Sequence, residues 1–395
     1  MKIQRLLYWQ WHSFLKRGVE EALPLVASSV DTFFYQLADW EEDDSFRKKF
    51  LSAIENGSKT ASYDAVFSIN FNPMISEICE EKGILYISWV YDSPIHIRNL
   101  EALKNKVNRT FFFDRGEAEA LIEQGIPVYH MPLSGDAAGF QRTIRNAASG
   151  TPFFASDIAF VGQLYRTEYQ YYMTPLTDYQ RGFLEGIINS QSKVYGGYLI
   201  PELITEEFLA KLNERYLTAS KGTAKISRRE LLYLLAGEVT GRERRLILSL
   251  LSSRYAVDLY SSDEENDLPK RSGDGTGCSA HPYIDYYEKM PFVFSGAKIN
   301  LNISLKCIRT GVPLRVFDVL SCGGFLITNF QAELPELFEI GSELVCYSSV
   351  EELLQLVDFY MKHDEERRRI AENGIRRIQS DHTPERQLVR MFDKI

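Results

Sequence analysis

The sequence predicts an α/β protein made of two doubly wound, largely parallel sheets. Three observations lead there. Short β-branched or aromatic runs alternate with stretches of helical period over the first ~135 residues. A stretch rich in Gly, Ala, Ser and Pro, "DAAGFQRTIRNAASGTPFFAS" (136–156), then breaks the rhythm, and a second alternation opens with "DIAFVGQLY". At 395 residues the chain also exceeds what one ordinary hydrophobic core serves.

Taken in order, "KIQRLLYW" reads as a strand and "FLKRGVEEALPLVASS" as the helix after it. "DTFFYQL" is strand-like and "DSFRKKFLSAIEN" helical. "YDAVFSINF" leads to the helix "NPMISEICEEKG", where Asn72 or Asn70 is placed to cap and Pro73 sits in the first turn. The strand "ILYISWVYD", a helix around "NLEALKNK", the strand "RTFFFD", the helix "RGEAEALIEQG" and the strand "VYHMPLS" complete the first half. Asp114 reads as an N-cap whose capping box is closed by Glu117. These strands are nearly unbroken apolar runs, as burial on both faces requires.

The second half begins with a strand and turn, followed by a Tyr-rich, mostly helical insertion at about 167–250. "YAVDLYSSD" is a strand and "ENDLPKRSGDGTGCSAHP" a loop. "KINLNIS" is a strand, "VPLRVFDVLSCGG" a helix opened by Pro313 and closed by Gly323–Gly324, and "ELVCYSS" a strand before the helix "VEELLQLVDFYMKH". The expected domains are 1–145, 155–375 with the insertion, and a terminal helix within 376–395.

Composition narrows the function. With 45% hydrophobic and 25% charged residues the chain is an ordinary globular one, and its net charge of -9 argues against nucleic acid as the main partner. The clusters "SRRE", "RERR" (242–245) and "ERRR" interleave with Glu and read as solvated helix surface, as do the acidic runs "DWEEDD" and "SDEEND". Five scattered cysteines and six dispersed histidines fit neither a disulfide framework nor a zinc spacing, so no metal site is expected. No apolar run approaches a membrane span and no signal-like segment opens the chain, so a cytoplasmic location is expected.

Several residues are placed for chemistry. Arg315 and Asp318 share one stripe of the helix after Pro313, where a guanidinium suits phosphate and a carboxylate suits sugar hydroxyls. A solvent-facing i,i+3 ion pair would use the same pattern. Asn302, Lys306 and Arg309 crowd the segment before that helix, a set of donors suited to a diphosphate. Arg166 follows the first strand of the second half, after Gly162. Asp92 ends the buried strand of "WVYDSPIH", where a carboxylate among aromatics can serve as a general base. His12 also follows a strand, in "WQWHSF", and reads first as a partly buried histidine between tryptophans.

The segment "KINLNISLKCIRTGVPLRVFDVLSCGGFLITNFQAELPELF", with the tail "ELVCYSSVEELLQLVDFYMKHDEERRRIAENG", resembles the carboxyl half of CgeB-like (spore-maturation) glycosyltransferases. "YDAVFSINFNPMISEICEEKGILYISWVYDSPI" is similar to the amino-terminal domain that often accompanies it. The resemblance implies a GT-B fold: two Rossmann-like doubly wound domains facing across a cleft, with a helical insertion in the second. It implies transfer of a sugar from a UDP-, GDP- or dTDP-sugar to an acceptor hydroxyl on a protein or glycan, with no cofactor and no metal. Asp318 then matches the acidic ribose-binding position and Arg166 the basic residue that meets the diphosphate, with Asn302, Lys306, Arg309 and Arg315 as further nucleotide-sugar contacts. Asp92 or His12 would be the base if the enzyme inverts. The competing readings are a nucleotide-sugar epimerase of the same fold and a non-catalytic GT-B-like binding module.

Overall fold

The computed structural model describes residues 3–57, 62–147, 154–219, 225–263 and 267–395. It divides into two compact units, Met1–Asn146 with Thr310–Ser321 and Ile375–Ile395, and Ala147–Arg309 with Cys322–Gly374.

The first unit opens with β1 (Ile3–Gln10), α1 (Lys16–Ala22), β2 (Ala27–Phe34), α2 (Asp44–Gly57), β3 (Ala65–Ile69) and α3 (Pro73–Lys82). β4 (Leu85–Val90), β5 (Asn108–Phe112), α4 (Arg115–Glu123), β6 (Tyr129–His130) and α5 (Ala137–Arg145) follow. The six strands form one parallel sheet in the order β2-β1-β3-β4-β5-β6. β3 is buried along its whole length, and an aromatic core of Trp9, Phe46, Phe50, Phe71 and Tyr86 packs against the sheet. Asn72 caps α3 by accepting from the Ile75 N–H, with Pro73 in the first turn.

Four local expectations change here. The helix expected over "FLKRGVEEALPLVASS" stops at Ala22, because Pro24 has no N–H to continue the ladder, and the residues from Ala27 already belong to β2. "NLEALKNK" makes only a 3-10 turn, Leu100–Lys104. The first part of the supposed linker is the helix α5, capped by Asp136 through the Gly139 N–H. Residues 148–153 of that stretch, and 264–266 of "SDEEND", lie outside the described residues.

The fourth change concerns Asp114, which builds no capping box. Its fully buried carboxylate accepts from the Thr310 N–H (3.0 Å), the Thr310 hydroxyl (3.1 Å) and the Gly311 N–H (3.1 Å) through one oxygen. The other oxygen accepts from the Ser93 hydroxyl (2.9 Å). Glu117 instead takes the Ile95 N–H (2.8 Å). A Cβ on Gly311 would stand 2.7 Å from the Asp114 Cα, so only glycine lets the two backbones close to this distance.

The second unit begins with β7 (Ser156–Val161) and an insertion of helices, α6 (Tyr169–Met173), α7 (Asp178–Gln191), α8 (Ile200–Leu203), α9 (Glu206–Thr218) and α10 (Arg228–Ser252). β8 (Ala256–Tyr260), β9 (Gly277–His281), α11 (Met290–Gly296) and β10 (Ala297–Asn302) come next. α12 (Leu314–Ser321) groups with the first unit, and the chain returns as β11 (Leu326–Asn329), α13 (Leu334–Leu337), β12 (Val345–Tyr347) and α14 (Val350–Tyr360). The parallel order is β12-β11-β10-β7-β8-β9. β9 lies inside the segment read as a loop.

The insertion has its own core, in which Tyr169, Leu184, Leu212, Tyr216 and Leu235 are buried, so part of its tyrosine content is packing. α15 (Asp364–Asp381) and α16 (Pro384–Phe392) close the chain. α16 lies on the first unit, where Gln387 donates to the Leu133 carbonyl (3.2 Å) and Phe392 meets Phe67. No helix among the described residues is long and apolar enough to cross a membrane.

Asp114→Ala removes the acceptor of four donors in a buried place, and an unsatisfied buried donor costs roughly 1–3 kcal/mol. Urea denaturation should show a loss of about 3–5 kcal/mol, with Asp114→Asn losing clearly less because one carbonyl oxygen still accepts.

Candidate functional site

In an open parallel sheet, ligands bind outside the carboxyl ends of the strands, where the strand order reverses. In the first unit that point lies between β1 and β3, since β2 follows on one side of β1 and β3 on the other. Trp11 leaves the end of β1, Asn70 and Phe71 the end of β3, and Asp92 the end of β4. Together with Trp40, Ile95, His96 and Ile97 they line a pocket of about 220 Å³.

Asp92 is held there by the Asn70 side-chain amide, which donates to it at 2.6 Å, while the Asn70 Oδ1 accepts from the Tyr91 N–H (2.9 Å). Asn70 makes both bonds from a left-handed backbone conformation, φ 60°, that few side chains other than Asn adopt. Burial raises the Asp92 pKa above the ordinary carboxylate value, with the Asn70 hydrogen bond opposing it. His12 is separate from this group. It is exposed, not enclosed between tryptophans: its ring meets Phe34 edge-on at 5.3 Å, and its backbone N–H donates to the Gln36 side chain.

The second unit reverses between β7 and β10. Arg244, on α10, joins the two strand ends: its guanidinium is buried and donates to the Gln163 carbonyl after β7 and to the Ile303 carbonyl after β10. The same guanidinium lies over the rings of Phe160 and Tyr165. Beside it Glu243 is buried and forms an ion pair with Lys306 (3.0 Å). The Tyr195 hydroxyl donates to Glu243 (2.6 Å), and the Lys306 ammonium sits 4.1 Å from the Tyr195 ring centroid. The "RERR" cluster is therefore half interior, a correction to its reading as solvated surface. α10 is covered on several sides, which a local charge pattern does not reveal.

The remaining nucleotide-sugar candidates divide by what already engages them. Asn302 donates to Ser304 (3.1 Å) and Thr328 (2.9 Å), and Lys306 is neutralised by Glu243. Arg309 is half-buried. Arg166 is exposed and forms no hydrogen bond or ion pair among the described residues. Arg315 and Asp318 lie on α12, which belongs with the first unit, and their side chains meet at 3.1 Å. Asp318 is buried, so the pair is not a solvent-facing one. Gly323, at φ 74°, turns the chain out of that helix. Among the described residues no group of three or more His, Cys, Asp or Glu side chains is placed to hold a metal ion.

A buried ion pair that loses one partner leaves the other charge stranded, at a cost of about 3–5 kcal/mol. Glu243→Leu or Lys306→Met alone should destabilise the second unit by that amount. The double variant should recover most of the loss, a coupling that denaturation in a double-mutant cycle measures directly.

Comparison with known proteins places this arrangement. A family model described as "Glycosyl transferase-like" matches residues 242–393, which include β8 to α16. No curated protein is significantly similar to the chain in sequence. Solved structures share the whole architecture at low identity. A sucrose-phosphate synthase from Thermosynechococcus elongatus is 10% identical, with a TM-score of 0.53 over 99% of this chain and 98% of that one. A UDP-forming α,α-trehalose-phosphate synthase from Burkholderia xenovorans is 11% identical (TM-score 0.51, covering 100% and 98%). HepE from Anabaena, solved with UDP and glucose, is 10% identical (TM-score 0.50, covering 99% and 100%). The two parallel six-stranded sheets are those of a GT-B fold, and on the family match and that fold together the enzyme is a glycosyltransferase.

Proposed function

We propose that the protein moves a sugar from a nucleotide-sugar donor to an acceptor hydroxyl without a metal ion, as a CgeB-like enzyme would. The observation that carries the reading is Asp92, a carboxylate at the carboxyl end of β4, inside an aromatic-walled pocket that residues leaving β1 and β3, the strands flanking the reversal point, also line. It takes the proton of the acceptor hydroxyl as the acceptor oxygen bonds to the anomeric carbon. The bond from that carbon to the diphosphate breaks, and the nucleoside diphosphate leaves with the electron pair. A base used in this way belongs to an inverting displacement.

In the second unit Arg166 is the cation offered to the diphosphate, because it is exposed and forms no ion pair among the described residues. Lys306 reaches a nucleotide only in competition with Glu243. Asp318 is the ribose candidate carried by the family resemblance, and its ion pair with Arg315 fixes its side chain. Likeness in fold to proteins described as UDP-forming or UDP-bound makes UDP the nucleotide to test first.

UDP at about 100 times its Kd should stabilise the protein by about 2.7 kcal/mol, seen as a rise in Tm. Arg166→Ala should weaken that binding by at least about tenfold, the worth of one charge-assisted hydrogen bond. If no nucleoside diphosphate shifts the Tm, the transferase reading fails. Product analysis separates sugar transfer from epimerisation of the donor.

Asp92→Asn should lower kcat by at least about 100-fold, the usual contribution of a positioned base. Turnover by the native enzyme should persist in EDTA. Because the Asp92 pKa is raised in the folded state, its ionised form is disfavoured there, and stability falls as pH rises through that pKa. The Asn variant should therefore melt at or above the native Tm at neutral pH, its advantage growing as pH rises from the ordinary carboxylate range through the raised Asp92 pKa and levelling off above it. The native rate should climb with pH on an acid limb displaced above the ordinary carboxylate range.

A further inference from the structure

The walls of the first-unit pocket narrow what an acceptor can be. Trp11 and Trp40 meet edge to face, at 74° with centroids 5.1 Å apart, and form a corner backed by Trp9. Both indole N–H groups are spent on backbone carbonyls, Trp11 on Ile69 (3.0 Å) and Trp40 on Phe71 (3.0 Å). The rings are thus locked in place and offer a ligand only their π surfaces, which carry partial negative charge. Hydrogen-bonding groups stand on one side only: the Asp92 carboxylate and the amide of Asn70, with His96 at the exposed edge.

A pyranose ring has this division of surface. One face presents C–H bonds with partial positive charge, and its rim presents hydroxyls that donate to a carboxylate. An apolar acceptor would leave the desolvated Asp92 carboxylate without a donor. The volume, about 220 Å³, is below the roughly 300–1,000 Å³ of pockets that enclose drug-sized ligands, so it suits one ring and not a chain.

We propose that the pocket lined by Trp11, Trp40, Asn70 and Asp92 receives a single pyranose unit, so that the acceptor hydroxyl is that of a carbohydrate. The proposal rests on the transferase reading above and names the acceptor class of that same site. The terminal sugar of the acceptor lies with its C–H face on the tryptophan corner and one hydroxyl against the Asp92 carboxylate.

The test uses the full native chain, with and without saturating UDP. Saturation-transfer NMR is run with a panel of methyl pyranosides and, as the competing class, with Ser-, Thr- and Tyr-containing peptides. At least one pyranoside should bind at low-millimolar concentration, as expected of a ligand with about a dozen non-hydrogen atoms. Its ring C–H protons should receive saturation and tryptophan fluorescence should change. Trp40→Ala should weaken it at least tenfold, while circular dichroism reports whether the variant is folded. Binding of a peptide in place of every pyranoside, or of neither class, overturns the proposal without need of any variant. If UDP raises the Tm and no pyranoside binds, only the acceptor assignment falls. If a pyranoside binds at the tryptophans and no nucleotide binds, the transferase reading falls and the pocket stands as a sugar site.

Discussion

A single buried carboxylate decides how the chain is divided. Asp114 collects the Thr310 N–H and hydroxyl and the Gly311 N–H, from residues almost two hundred positions away. Those bonds fix the start of the segment that continues into α12, and with it Arg315 and Asp318, in the first unit. An aspartate without these donors would be an uncompensated charge in the interior, so carboxylate and segment require one another. Gly311 is part of the same constraint, since any side chain there would strike the Asp114 backbone.

Charge is handled in the second unit by the same rule, with different consequences. Arg244 ties the ends of β7 and β10 together through carbonyl oxygens, and Lys306 is matched by Glu243 and Tyr195. The strand ends at the reversal point are held rigidly by groups with little left to offer a ligand. Arg166 stands outside this framework, exposed and without an internal partner among the described residues.

The sequence was legible where burial leaves a local trace. Interior strands such as β3 and β4 stand out because both faces are covered and every residue is apolar or small. The start of β2 and the whole of β9 went unseen for the opposite reason. Both are edge strands, and "ASSV" and "GCSAH" carry no apolar run. Asp92 could be singled out from its place at the end of a buried strand, and its pocket follows from that place. Asp114, Glu243 and Arg244 could not, because their partners lie far off in the chain and a charged residue on a helix reads as solvated. The roles of Tyr195 and Asn70 depend on tertiary neighbours alone.

The division at residues 146, 309, 321 and 374 has a consequence for synthesis. The first unit is encoded in three pieces, and its last piece carries α16, against which α1 packs so closely that a Cβ on Gly18 would come within 2.7 Å of Pro384. Chains emerge from the ribosome amino terminus first and domains fold as they appear. Here the half that is made first must wait, with the face destined for α12 and α16 uncovered, until residues 310–321 and then 375–395 have left the tunnel. The second unit, encoded later, can complete its sheet sooner after its own synthesis. Nascent chains stalled before residue 375 should therefore be the species that chaperones recognise.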